Sequence, residues 1–156
     1  YFVSLRELPN GVFWILLVLP ATWIADSGAY SVGRRIGRHK LAPRLSPKKS
    51  WEGYLGGIAA GVIGTALLAG IFQWVFGDQI GITPLRGAII GLVMGVVPTL
   101  GDLGESMIKR QVGIKDSGTL LPGHGGAFDR IDSWLWAAPL GFYLVSWLFL
   151  TGVLPV

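Results

Sequence analysis

The sequence predicts an all-α fold: a polytopic integral membrane helix bundle with about four transmembrane helices and two basic cytoplasmic loops. Three observations carry that expectation. Hydrophobic residues make up 51% of the 156 positions and charged residues 14%, at a mean hydropathy of +0.56, a balance that suits lipid better than water. Three charge-free runs, Leu8 to Ala25, Gly53 to Gly77 and Ser133 to Val156, hold 18, 25 and 24 residues, enough for a helix to cross a hydrocarbon core. The thirteen Lys and Arg residues alternate between rich and poor segments, as the positive-inside rule requires. Twenty-four glycines without a three-residue period exclude collagen, and the apolar content excludes a disordered chain.

The first run continues into Asp26 and a strongly basic loop, so residues 1–30 do not read as a cleaved signal peptide. The chain begins at Tyr1 without a methionine, and further upstream sequence is expected. The second run opens on Gly53, Gly57 and Gly61, and a shorter third run, Gly87 to Gly101, carries Gly87, Gly91 and Gly95. Small residues at a spacing of four let helix backbones approach closely in lipid. The stripes permit packing within the chain or a homodimer, and glycine is also simply common in membrane helices. The third run has only 15 uncharged residues, about 22 Å of helix against a core of roughly 30 Å, so it must carry Asp102 with it to cross. The fourth run is Ser133 to Val156.

One Lys or Arg precedes the first run, seven lie in the first loop, one in the second, four in the third and none after the last run. Both rich loops are therefore expected on the cytoplasmic side. Trp51 and Trp134 beside those loops, with Trp74 near the other interface, fit an aromatic belt. A net charge of +4 confined to loops between apolar runs reads as membrane topology, and no nucleic-acid partner is expected. The absence of cysteine excludes disulfides, thiolate nucleophiles and Cys-ligated zinc. Ala42 to Lys49 reads as loop.

Several acids lie where a mere anchor would avoid them: Asp26 near the end of the first span, and Asp102 and Glu105 at the end of the third. Ionisable groups at such depth usually face a cavity, a metal or a counter-ion. Asp102 and Glu105 are three apart, on one helical face, and Asp129 and Asp132 repeat the spacing. Paired carboxylates suit Mg²⁺, which takes oxygen ligands and shares them with substrate phosphates. The same spacing also describes a capping box, and Asp129 beside Arg130 describes a local ion pair. Ser46, Lys48, Lys49 and Ser50 lead into the second helix, where an anion could dock on the helix N-terminus and the ammonium groups. A plain polybasic segment attracting acidic headgroups is the alternative. The third loop, Ser106 to Asp132, mixes four cations, three acids, one histidine and five glycines. In its Pro122-Gly123-His124-Gly125-Gly126 turn the glycines allow a ligand to approach the backbone, while Asp116-Ser117-Gly118 is by itself an ordinary turn.

This 27-residue segment closely resembles the signature of the phosphatidate cytidylyltransferases: Ser106, Lys109-Arg110, Lys115-Asp116, Pro122-Gly123-His124-Gly125-Gly126, and Asp129-Arg130-x-Asp132. The similarity extends through Asp26-Ser27-Gly28-Ala29-Tyr30, Gly33-Arg34, Gly37-Arg38, Ser46-Pro47-Lys48-Lys49-Ser50-x-Glu52-Gly53 and Gly101-Asp102-Leu103-x-Glu105-Ser106. Ala127 stands where that family usually has a larger aliphatic residue. The resemblance implies that residues 1–156 form a single transmembrane catalytic domain, the carboxy-terminal half of a longer protein with more upstream helices. It implies transfer of CMP from CTP to phosphatidic acid, with Mg²⁺, on the cytoplasmic side of a membrane, most simply a bacterial inner membrane.

On that reading Asp102 and Asp129 are the principal metal ligands, with Asp26 and Glu105 beside them, and an acid-rich site of this kind has room for a second cation. Lys109, Arg110 and His124 join the two aspartates in catalysis. Lys48, Lys49, Lys115 and Arg130 bind phosphates, with Ser46, Ser50, Asp116, Gly125 and Gly126 completing the substrate wall. Two rivals remain: a CTP-dependent lipid kinase, which would release CDP, and a transporter whose intramembrane acids line an ion path.

Overall fold

The computed structural model describes residues 1–43, 45–111, 113–114 and 128–150, with the side chains of 128–132 and 148 left out of the description. A short helix α1 (Phe2–Glu7) precedes α2 (Gly11–Ile36), a two-stranded hairpin of β1 (Lys40–Ala42) and β2 (Ser46–Ser50), and α3 (Trp51–Phe76). A 3₁₀ turn, Asp78–Ile80, leads to α4 (Pro84–Gln111), and α5 (Phe128–Tyr143) runs into a π-helical segment, Leu144–Phe149. Among the described residues, α2, α3 and α4 are long and apolar enough to cross a membrane. The fourth expected span corresponds to α5 and its π continuation, described as far as Leu150.

Helices outrun the charge-free runs. The first run stops before Asp26, whereas α2 continues to Ile36, so Asp26 lies well inside a 26-residue helix. Likewise α4 has 28 residues and carries Asp102, Glu105, Lys109 and Arg110 on one continuous helix, about 42 Å long at 1.5 Å per residue. Hydropathy locates where a helix sits in lipid, but the backbone ladder does not end where charge begins.

The segment Ala42 to Lys49, expected to be loop, is mostly strand. β1 and β2 pair antiparallel, with Lys40 opposite Ser50 and Ala42 opposite Ser46. These strands of three and five residues show no apolar alternation in sequence, the signal by which strands are usually read. Among the described residues the remaining regular elements are helical.

One narrow face of α3 organises the packing. Gly53, Gly57, Gly61, Thr65 and Ala69 are buried at every fourth position, while Leu55, Ile63, Leu67, Ile71 and Trp74 lie exposed on the opposite face, as expected where lipid is the solvent. A Cβ on Gly57 would lie 2.8 Å from the Ala25 carbonyl oxygen of α2, and one on Gly61 2.8 Å from the Gly91 oxygen of α4. A Cβ on Gly87 would lie 2.6 Å from the Thr65 oxygen. Both glycine stripes are therefore used inside the chain. A second cluster, including Trp14, Leu17, Val18, Ile90, Met94 and Val145, ties α2 and α4 to the helix that follows α5, and the Trp14 indole stacks on Phe149 with centroids 5.6 Å apart.

Because backbone atoms cannot step aside for a side chain, Gly61→Leu is expected to destabilise the bundle by about 3 kcal/mol or more. A lowered thermal midpoint in detergent, with loss of the monodisperse species, checks this.

Candidate active site

Four parts of the chain meet where α2 nears its end, the hairpin passes from β2 into α3, and α4 approaches its last turns. They enclose a cavity of about 320 Å³. From α2 come Asp26, Tyr30 and Arg34, spaced by four so that one helical face presents all three. The hairpin supplies Lys48, Lys49 and Ser50, α3 supplies Gly53 and Tyr54, and α4 supplies Thr99 and Asp102.

Close packing creates this convergence. Gly33 of α2 and Gly53 of α3 face each other, a Cβ on Gly53 falling 3.0 Å from the Gly33 Cα. Ser50, 4% exposed, caps α3 by accepting a hydrogen bond from the Gly53 N–H at 3.2 Å. The cap fixes where β2 ends, and so where Lys49 points. Lys49 Nζ forms an ion pair with Asp102 Oδ2, joining the hairpin to α4. Both side chains are about one-third exposed or less, so the pair faces the cavity and is only partly dehydrated.

Arg34 Nη1 donates to the Tyr30 hydroxyl at 3.1 Å, and the Tyr54 hydroxyl donates to the Val96 carbonyl at 3.4 Å. These two contacts hold three polar side chains at the cavity wall. Sequence reading gave no role to Tyr30, Arg34, Tyr54 or Thr99. For Tyr30 and Arg34 a signal existed, since four-residue spacing from Asp26 puts them on its face; for Tyr54 and Thr99 only the fold supplies it.

Of the expected residues, the structure brings together Asp26, Lys48, Lys49, Ser50 and Asp102. Glu105 and Lys109 pair with each other across one helical turn at 2.9 Å, with Glu105 buried. That contact places Lys109 beside a carboxylate. Ser46 begins β2 and Arg110 is exposed on the last turn of α4. Asp129 and Arg130 lie in the first turn of α5, their side chains outside the description. Lys115, Asp116, His124, Gly125 and Gly126 lie outside the described residues. The docking of α5 is visible nearby: Gly101, next to Asp102, leaves room for the Trp136 indole, whose Cε2 would lie 2.6 Å from a Cβ there.

Among the described residues no group of three or more His, Asp or Glu side chains gathers as a ready-made metal cage. Asp26 and Asp102, with hydroxyl oxygens lining the same cavity, nevertheless offer donors that suit a hard cation, which completes its shell with water and phosphate oxygens. Cations, carboxylates and hydroxyls around one cavity at the end of apolar helices suit a polyanion that must be neutralised and oriented.

This fold and cavity define a helical membrane-protein scaffold with side chains of both charge signs around one cavity. The cytidylyltransferase family profile matches residues 1–148, and the chain belongs to that family. It is 44% identical over 140 residues to the phosphatidate cytidylyltransferase of Synechocystis, covering 90% of this chain and 45% of that protein. It is 42% identical over 147 residues to that of Bacillus subtilis, with coverages of 94% and 52%, and 47% identical over 136 residues to that of Haemophilus influenzae, with coverages of 86% and 46%. The chain thus spans about half the length of the curated relatives it matches.

Lys49 and Asp102 form a partly exposed pair, which contributes about 1 kcal/mol or less to folding. Lys49→Gln is therefore expected to shift the thermal midpoint by no more than about 4 °C, as read by a melting scan in detergent.

Proposed function

We propose that this chain carries the catalytic machinery of a phosphatidate cytidylyltransferase. A non-bridging oxygen of the phosphatidic acid phosphate attacks the α-phosphorus of CTP; the bond from that phosphorus to the oxygen bridging to the β-phosphorus breaks, and pyrophosphate leaves as CDP-diacylglycerol forms. The nucleophile is already anionic, so no covalent enzyme intermediate is needed; neutralisation and alignment are the main demands. The observation that carries this reading is the shared cavity of Lys48, Lys49, Asp26 and Asp102, at the end of helices that suit lipid.

Lys48, Lys49 and Arg34 offset the mutual repulsion of two phosphate-bearing substrates and hold them in line. Asp102 and Asp26 would hold Mg²⁺, with Asp129 contributed from the first turn of α5. Its chemistry, when bound, is charge neutralisation at the triphosphate and at the leaving pyrophosphate. Glu105, paired with Lys109, stands beside these ligands and steadies the last turns of α4. The seven cations between Asp26 and Gly53 and the four between Ser106 and Asp132 support a cytoplasmic orientation of that side, and the bacterial relatives fit an inner membrane. A homodimer would have to form on other faces, because the glycine stripes are taken up within the chain.

Membranes holding the full-length protein, incubated with cytidine-labelled CTP, phosphatidic acid and Mg²⁺, are expected to carry label into the lipid phase and release pyrophosphate. Release of CDP with an unlabelled, newly phosphorylated lipid would establish a kinase instead. Asp102→Asn and Asp129→Asn are each expected to lower lipid labelling about a hundredfold or more while the protein remains inserted, and chelation of divalent ions should do the same to the wild type. Near-normal turnover in either variant would contradict the assigned ligand roles.

A further inference from the structure

Glu52 is the only carboxylate between Asp26 and Asp78 in a stretch that carries seven cations. It does not line the cavity, yet it closes the hairpin that does. The His39 backbone N–H donates to Oε1 and Oε2 of Glu52, each at 3.2 Å, and His39 Nδ1 lies 2.6 Å from Oε1. Alongside, the Trp51 N–H donates to the His39 carbonyl at 2.9 Å. One residue before β1 is thus tied to the first residues of α3, with the whole hairpin between them.

An isolated two-stranded hairpin is marginally stable in water, and this one has strands of three and five residues with a register irregularity between Lys40 and Ala42. Its register decides which lysine meets Asp102, because a slip by one residue exchanges the faces of a strand. Ladder bonds alone specify register weakly in a polar strand. We infer that Glu52 is a positioning residue for the cytidylyl-transfer site: by clamping His39 it holds the hairpin in the register that directs Lys49 to Asp102 and the substrate phosphates.

This role rests on the proposed reaction. It is distinct from general stabilisation, because His39 is 79% exposed and Glu52 22% exposed at the side chain, and such pairs add little to global stability. The clamp acts on Lys49, so removing it has no further effect once Lys49 is gone.

Purified full-length enzyme provides the test. Glu52→Ala is expected to raise the KM for CTP about tenfold with a smaller change in kcat, and to leave the thermal midpoint within about 4 °C of wild type. Glu52→Gln, which keeps an oxygen acceptor for the His39 N–H, recovers part of the loss. On a Lys49→Gln background, Glu52→Ala adds no more than about twofold. Multiplicative effects of the two substitutions, or a fall in kcat at unchanged KM, would overturn the assignment. Amide exchange over residues 40–50 reads the clamp without turnover: exchange about tenfold faster in Glu52→Ala supports it, and unchanged exchange contradicts it. Should Glu52→Ala fail to fold, Glu52→Gln and His39→Ala carry the same comparison. A wild type inert toward CTP would defeat the proposed reaction itself, and the exchange measurement would still decide whether Glu52 holds the hairpin.

Discussion

Backbone-to-backbone approach of α3 to α2 on one side and α4 on the other is the constraint from which the site follows. In lipid, burying an apolar side chain among helices gains little over leaving it among acyl chains, so close contact between small residues carries association. Gly57 against Ala25, Gly61 against Gly91 and Gly87 against Thr65 bring three helices within reach of each other along one seam. At the end of that seam, Gly33 and Gly53 meet, and the polar residues one or two turns away are forced into a common cavity. The apolar part of the bundle and the polar part are therefore one construction.

Electrostatics then explains why the cavity holds both signs of charge. A cluster of lysines alone would repel itself and any metal; a cluster of aspartates alone would repel phosphate. The Lys49–Asp102 pair balances the site internally and leaves both groups partly accessible. Glu105 and Lys109 form a similar pair one turn further along α4, deeper in protein. An arrangement of paired opposite charges can reorganise around a polyanion and its cation at modest cost, because each group exchanges one partner for another instead of being stripped bare.

Much of this was legible in the sequence, for identifiable reasons. The four-residue glycine period named the packing face of α3 and of α4, because that period is the helix's own. Carboxylates next to apolar runs named Asp26 and Asp102, because charge near lipid needs a purpose. The hairpin was not legible: its residues, including Pro47 and two lysines, lack the alternation that marks a strand, and the Glu52–His39 contact that closes it spans 13 residues, beyond the reach of any local pattern. Helix ends were misplaced for a related reason, since α2 and α4 continue through charged residues once the backbone ladder is established. Tyr54 and Thr99 were missed because no local pattern distinguishes them from ordinary membrane-helix residues. The stretch from Lys115 to Ala127, rich in signature residues, lies outside the described part of the chain.

The central claim is that Lys49 and Asp102, 53 positions apart in the chain, face one another across a single cavity. The absence of cysteine from these 156 residues makes this directly measurable. With Lys49→Cys and Asp102→Cys introduced together, a short bifunctional thiol reagent should join the two positions, so that a protease nick within residues 77–83 leaves the two halves of the chain linked; neither single variant should do so. Halves that separate after treatment of the double variant would contradict the account.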